Sequence, residues 1–148
     1  MILNTIGYQG AELTPFINTL KRAGVECLVD VRENTHSRKP GFSKSALAAA
    51  LQAQGMRYVH LRSLGTPPEM RKAFRATNDM DQFRRDYLVY LATRREDLKE
   101  LAGLLPQGCC CLMCFEADPA ECHRSLIAAQ LEKESAGGLE IRHLRVGE

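Results

Sequence analysis

Five short apolar runs recur along the chain without the polar–apolar alternation of a half-solvated strand: residues 2–6, 27–31, 58–61, 110–115 and 141–144. Strands that are apolar on both faces belong in a parallel sheet covered by helices, and the intervening segments carry helical signals. Thr14 and Pro15 open a helix that places Phe16, Ile17 and Leu20 on one face and stops at Gly24. Ser43 is the expected N-cap of a helix through residues 46–51, ended by Gly55. Beyond Pro67 and Pro68, the apolar residues Phe83, Tyr87, Leu91, Leu98 and Leu101 fall near helical spacing, read as one short and one long helix divided near Asn78. Pro106, Gln107 and Gly108 break the chain before the fourth run. Asp118, Pro119 and Glu121 supply an N-cap, a proline at the first helical position and an acid three residues after the cap, which predicts a helix from there to about Ser135.

The order β-α-β-α-β-α-α-β-α-β predicts a single α/β domain over residues 1–148. Its sheet is expected to be open and mostly parallel, with about five strands in the order 3-2-1-4-5 and helices on both faces. A chain of 148 residues buries roughly 68–70% of its unfolded surface, so the six cysteines are not required as staples. No apolar run approaches the ~18–20 residues of a membrane helix, and Met1 to Asn4 lacks a basic segment leading into an apolar one. The chain therefore reads as cytoplasmic, with no membrane partner.

Net charge is only +2, but residues 32–75 hold nine Lys and Arg against two Glu, leaving the remainder acidic. A basic block of this kind suits an anionic partner, a phosphate-bearing small molecule or a nucleic acid, and equally a solvated face balanced in space by the acidic segments. In an open α/β sheet, ligands bind beyond the carboxyl ends of the strands. The residues expected there are Gly7 and Tyr8 after the first strand, Asp30 and Arg32 at the second, and Glu116 with the Asp118 helix start at the fourth. Asp30 and Arg32, two residues apart, share a face, either as an acid and a base at the ligand edge or as an ion pair fixing the loop. Ser37, Arg38, Lys39 and Lys44 in the following loop are donors suited to phosphate oxygens. Tyr8, Phe42, Tyr58 and His60 are candidates for stacking on a base.

The densest chemistry lies between Met113 and Arg124, where a strand end, Glu116, a helix start, Cys122, His123 and Arg124 fall within twelve residues. A helix start favours an anion and lowers the pKa of a nearby thiol. The leading expectation is thus a small enzyme in which Arg32, Arg38 and Arg124 hold an anion, Asp30 or Glu116 acts as general acid or base, and Cys122 is the nucleophile. Cys122 reads equally as a packed core thiol. Adjacent helical residues point about 100° apart, so Cys122 and His123 are not expected to aim at one site. No metal or cofactor is expected. Cys111 and Cys114 spell a C-x-x-C, but on a strand residues three apart lie on opposite faces, and no second pair follows. A phosphatase loop is absent, because six residues after Cys114 and Cys122 stand Ala120 and Ala128; there is also no P-loop and no dinucleotide fingerprint. A nucleic-acid-binding module using the basic 32–75 surface, and an interaction domain with a purely structural polar cluster, are the alternatives.

Thr5-Ile6-Gly7-Tyr8, Asp30-Val31-Arg32 with Ser37-Arg38, Gly41-Phe42-Ser43, Leu64-Gly65, and Met113-Cys114-Phe115-Glu116 with Cys122-His123-Arg124 together resemble the bacterial and archaeal family known as domain of unknown function 488. The chain departs from that pattern at Gln9, Thr35 and Thr66, where serine, proline and glycine are usual. The resemblance implies an α/β fold and a polar site, and assigns no reaction.

Overall fold

The computed structural model describes residues 1–147; Glu148 lies outside them. Five strands, β1 (Ile2–Gly7), β2 (Cys27–Asp30), β3 (Arg57–His60), β4 (Cys110–Cys114) and β5 (Glu140–His143), form one sheet whose neighbours all run parallel. Their order is β3-β2-β4-β1-β5. This corrects the expected 3-2-1-4-5: β1 and β4 are neighbours as expected, but β4 inserts between β1 and β2. Local sequence marks a strand as interior or edge and does not name its neighbour. β1, β2 and β4 are buried along nearly their whole length, whereas β3 and β5 are partly exposed and take the two edges.

Strand residues alternate between two apolar layers. Val29, Cys110, Leu112 and Cys114 face α4 (Met80–Leu91), α5 (Arg95–Leu104) and α6 (His123–Glu134) through Tyr87, Leu91, Leu101 and Ile127. Ile6, Leu28, Cys111 and Met113 face α1 (Leu13–Arg22) and α2 (Lys44–Gln52) through Phe16, Leu20, Leu47 and Leu51. Each fully buried Leu or Phe contributes roughly 1.5–3 kcal/mol relative to exposure. The connections leaving β1 and β2 thus go to one face of the sheet and those leaving β3 and β4 to the other. A crevice opens at the carboxyl ends of the central strands, where the chain diverges.

Three local expectations change. Ser43 stands at the N-cap of α2, but its Oγ accepts from the Ser37 N–H at 3.0 Å and donates to the Ser37 carbonyl at 3.2 Å, so it braces the preceding loop instead. The stretch after Pro67 holds three helices rather than two. Asn78, in the left-handed region, separates α3 (Pro68–Thr77) from α4, and a second break at residues 92–94 separates α4 from α5. Asp118 does cap a helical turn, accepting from the Ala120 N–H at 2.9 Å, but that turn is a 3-10 segment of only Pro119–Glu121. Cys122 returns to extended backbone (φ −134°, ψ 142°), and α6 starts at His123. No helix among the described residues is long and apolar enough to cross a membrane.

Two glycines allow close backbone approaches at this end of the sheet. A Cβ on Gly7 would run into the Glu116 carbonyl, and one on Gly65 would run into the backbone of Glu33. Gly7→Ala must therefore push the β4-to-α6 turn away from β1. Overpacking of this kind costs about 1–3 kcal/mol, and a chain of this size loses roughly 2–4 °C of Tm per kcal/mol. A thermal melt of Gly7→Ala should show a drop in that range, whereas Gly103→Ala, with open space around it inside α5, should melt at or a few degrees above the parent, because Ala is favoured over Gly in a helix by about 0.5–1 kcal/mol.

Candidate active site

β2 ends in Asp30, which has no solvent exposure. Its carboxylate accepts from the backbone N–H of Arg32 at 3.1 Å, from Arg32 Nε at 2.9 Å and Nη2 at 2.7 Å, and from the Tyr58 hydroxyl at 2.5 Å. Every lone pair of Asp30 is thus directed at a donor inside the protein. Burial alone would lower the pKa of Arg32, but the Asp30 carboxylate overrides it and raises the value. Burial, together with the Asp30 charge, also raises that of Tyr58. Asp30 and Arg32 do share a face, as a bidentate ion pair that fixes the loop. The remaining Arg32 nitrogen, Nη1, donates to the Tyr8 hydroxyl at 3.1 Å.

The aromatic candidates for base stacking have partners within the protein. Tyr8 and Phe42 stack on each other at 4.6 Å, Tyr58 is held by Asp30, and His60 Nε2 lies 2.8 Å from the Arg32 carbonyl. Ser37 braces its own loop, its Oγ accepting from the Lys39 N–H at 3.1 Å, and Arg38 is exposed.

Around the end of β4 the chemistry is denser. Arg124 is completely buried. Its Nε donates to Thr5 Oγ1 at 3.1 Å, Nη1 to the Glu116 carbonyl at 2.5 Å and to Cys114 Sγ at 3.1 Å, and Nη2 to the Ala117 carbonyl at 3.3 Å. The guanidinium is therefore spent on the protein itself, in contrast to the expected anion-holding role. Glu116 Oε2 lies 3.4 Å from Cys114 Sγ. Burial pushes the Glu116 carboxyl above its ordinary value, against the bond from its own backbone N–H and the charge of Arg124.

Cys122 and His123 do converge. Cys122 is not helical, so the 100° step between successive helical side chains does not apply to it. Its Sγ lies 3.7 Å from His123 Nδ1 and is joined to Cys114 Sγ in a disulfide, a pairing not expected from the sequence. The Cα atoms of the two cysteines stand 7.5 Å apart, wider than the 4.4–6.8 Å of ordinary disulfides. His123 Nε2 lies 2.7 Å from the Val31 carbonyl, which can only accept, so Nε2 carries the proton and Nδ1 presents a lone pair to the sulfurs. Burial lowers the pKa of His123 to about 4, so the ring is neutral at pH 7.

A cavity of about 350 Å³ opens on this corner, and Cys114, Glu116 and His123 line it. Tyr8 and Arg32 also reach it, whereas Gly7, Asp30, Ser37, Arg38, Cys122 and Arg124 are not on its wall. Its other wall comes from α3 and α4, which contribute Arg71, Arg75, Phe74 and Phe83. Arg71 and Arg75 are one helical turn apart on α3. Arg71 gives Nη2 to Glu33 at 2.8 Å, and its Nε is the buried side-chain donor among the described residues that has no acceptor. Cys114, His123, Arg71 and Arg75 were not on the expected list. The signals for the first two were position, at a strand end and beside Cys122, and their place in the motif blocks of the family resemblance. Nothing local in α3 announces that it folds over the crevice.

If Asp30 holds the loop rather than moving protons, its loss should appear first as lost stability. Removing one member of a buried ion pair costs about 3–5 kcal/mol. Asp30→Asn should shift the denaturation midpoint accordingly. Adding Arg32→Met in the same chain should restore part of the loss, because the orphaned charge is then gone; urea unfolding of the three proteins measures this.

No curated protein and no solved structure matches this chain. The family model described as domain of unknown function DUF488 matches residues 12–131, most of its length, and the chain belongs to that family.

Proposed function

We propose that the protein is a small enzyme whose cavity takes a phosphate-bearing ligand of about nucleotide size. The observation that carries this reading is the meeting of Arg71 and Arg75 with Cys114, Glu116 and His123 on one cavity of about 350 Å³. That volume falls in the range of small-molecule sites. Arg71 has an unpartnered Nε–H, the kind of donor a phosphate oxygen satisfies with a charge-assisted bond. Phe74, Phe83 and the half-exposed Phe115 give the same cavity apolar walls suited to a flat ring. In this reading the anion-holding role passes from Arg38 and Arg124 to Arg71 and Arg75. Arg32 stays at the rim, and the reacting groups are Cys114 and Glu116. Cys122 lies behind Cys114, off the cavity wall, and supports it.

A nucleic-acid-binding module draws less support from the geometry. The basic block is divided: Arg57 begins β3 at the amino end of the sheet and bonds Gln107, while Arg62 and Arg71 at the other end are both paired with Glu33.

Calorimetric titration with nucleoside 5′-monophosphates and inorganic phosphate tests the proposal. A hydrogen bond to a charged group is worth about 1.5–3 kcal/mol, and 1.4 kcal/mol is tenfold in affinity. Arg71→Ala and Arg75→Ala should each weaken binding roughly 10–100-fold, and Arg38→Ala should leave it unchanged. No heat from any of these compounds, or a loss confined to Arg38→Ala, would overturn the reading.

A further inference from the structure

The sulfurs of Cys114 and Cys122 and the Nδ1 of His123 lie within 4.8 Å of one another. We propose that these three atoms bind a soft divalent metal ion, zinc by chemical preference, with a fourth coordination position facing the cavity beside the Glu116 carboxylate.

Four features of the site support this, and none depends on what the cavity takes. The first is donor geometry. Zinc sits ~2.3 Å from thiolate sulfur and ~2.0–2.1 Å from imidazole nitrogen, so tetrahedral donors stand under ~4 Å from each other. Cys122 Sγ and His123 Nδ1 already stand at 3.7 Å. The two sulfurs are bonded to each other here, so reduction must come first; the 7.5 Å between the Cα atoms then lets the freed side chains part far enough to span an ion.

The second is the histidine tautomer. The Val31 carbonyl fixes the proton on Nε2, so Nδ1 is a free donor held in orientation by a backbone bond, the outer-shell arrangement that metal-ligating histidines use. The third is the environment of the sulfurs. The backbone N–H of Arg124 donates to Cys122 Sγ at 3.4 Å, and Arg124 Nη1 donates to Cys114 Sγ at 3.1 Å. Both bonds favour thiolate over thiol. The fourth is charge. Two thiolates neutralise a dication, and the Arg124 guanidinium beside Cys114 offsets the negative charge of the sulfurs. Binding starts from the two reduced thiols and a neutral imidazole, and each metal ion taken up releases the two thiol protons.

Two thiolates and one imidazole select zinc over magnesium or calcium, which prefer oxygen ligands. Three protein ligands with a fourth position opening on a cavity is the composition of a catalytic site rather than a closed structural one.

Cobalt(II) reports the ligands directly. The full chain, reduced with a phosphine and stripped with a chelator, should take up one equivalent of cobalt(II). It should show thiolate-to-cobalt charge-transfer absorption with the strong visible bands of a four-coordinate ion, and zinc should bleach both. Cys122→Ser and His123→Gln should weaken uptake by more than roughly 100-fold, beyond the 10–100-fold that losing an outer-shell partner costs. Cys109→Ser should leave it unchanged. Should the ligand variants fail to fold, the parent chain decides: zinc should protect Cys114 and Cys122 from iodoacetamide while Cys109 is alkylated with or without it. Cobalt uptake without the charge-transfer band, a band that survives Cys122→Ser, or alkylation of Cys114 and Cys122 indifferent to zinc would each overturn the proposal. Because the metal alone is the probe, these outcomes are separate from the nucleotide titration.

Discussion

A guanidinium with no exposure to water organises the functional end of this fold. An uncompensated charge at such depth would cost several kcal/mol, so Arg124 is stable there only because Thr5, Cys114 and the carbonyls of residues 116 and 117 all turn toward it. Those partners belong to β1, to β4 and to the turn that follows β4, while Arg124 itself belongs to α6. One side chain therefore ties three elements together. It also dictates the path of the turn, since the carbonyl of Glu116 must point inward, into space that exists only because residue 7 is glycine. With the turn so placed, Cys114, Glu116, Cys122 and His123 have fixed positions relative to one another, the preorganisation that a reactive site needs.

The neighbouring strand uses the same device in a different form. Asp30 and Arg32 neutralise each other at the end of β2, and the carbonyls of Val31 and Arg32 between and beside them receive His123 and His60. The ring of His123 also packs edge-on against Tyr87 at 5.3 Å, and Tyr87 stacks in turn near Phe83 at 6.4 Å, which meets Phe74 at 5.6 Å. This aromatic chain joins the beginning of α6 to α4 and α3, so the helix that carries Arg71 and Arg75 is registered against the histidine at the cavity's floor.

The sheet was legible because its information is local. Runs such as Cys110 to Cys114 are apolar on both faces, and only a parallel sheet between helix layers accommodates that pattern. The partner of each run was not legible, and β4 moved to the other side of β1, because buried valines, leucines and cysteines pair with one another indifferently. At Asp118 the capping signal was real and the helix after it was not. The cap closes one 3-10 turn, and the chain re-extends at Cys122 so that its sulfur can cap α6 by accepting from Arg124. That single extended residue undoes the inference that Cys122 and His123 diverge. The arginines of α3 were not legible for a different reason: a helix with four charged residues and one aromatic, Phe74, looks solvated until tertiary structure lays it over a crevice.

The polar groups of the site sort by depth and by type of donor. Hard cationic groups, Arg71 and Arg75, come from the outer wall. Soft donors, two sulfurs and an imidazole, come from the floor, and Glu116 lies between them. Such a division fits a ligand that is anionic at one end and reacts at the other. The outer arginines would orient it through charge, and the floor would supply a thiolate or a metal-activated group. The acid–base pair that the sequence offers most openly, Asp30 and Arg32, is in this arrangement the support of the site. Its chemistry is complete within itself, and that completeness is what holds the loop of residues 31 and 32 still enough for His123 to bond to it.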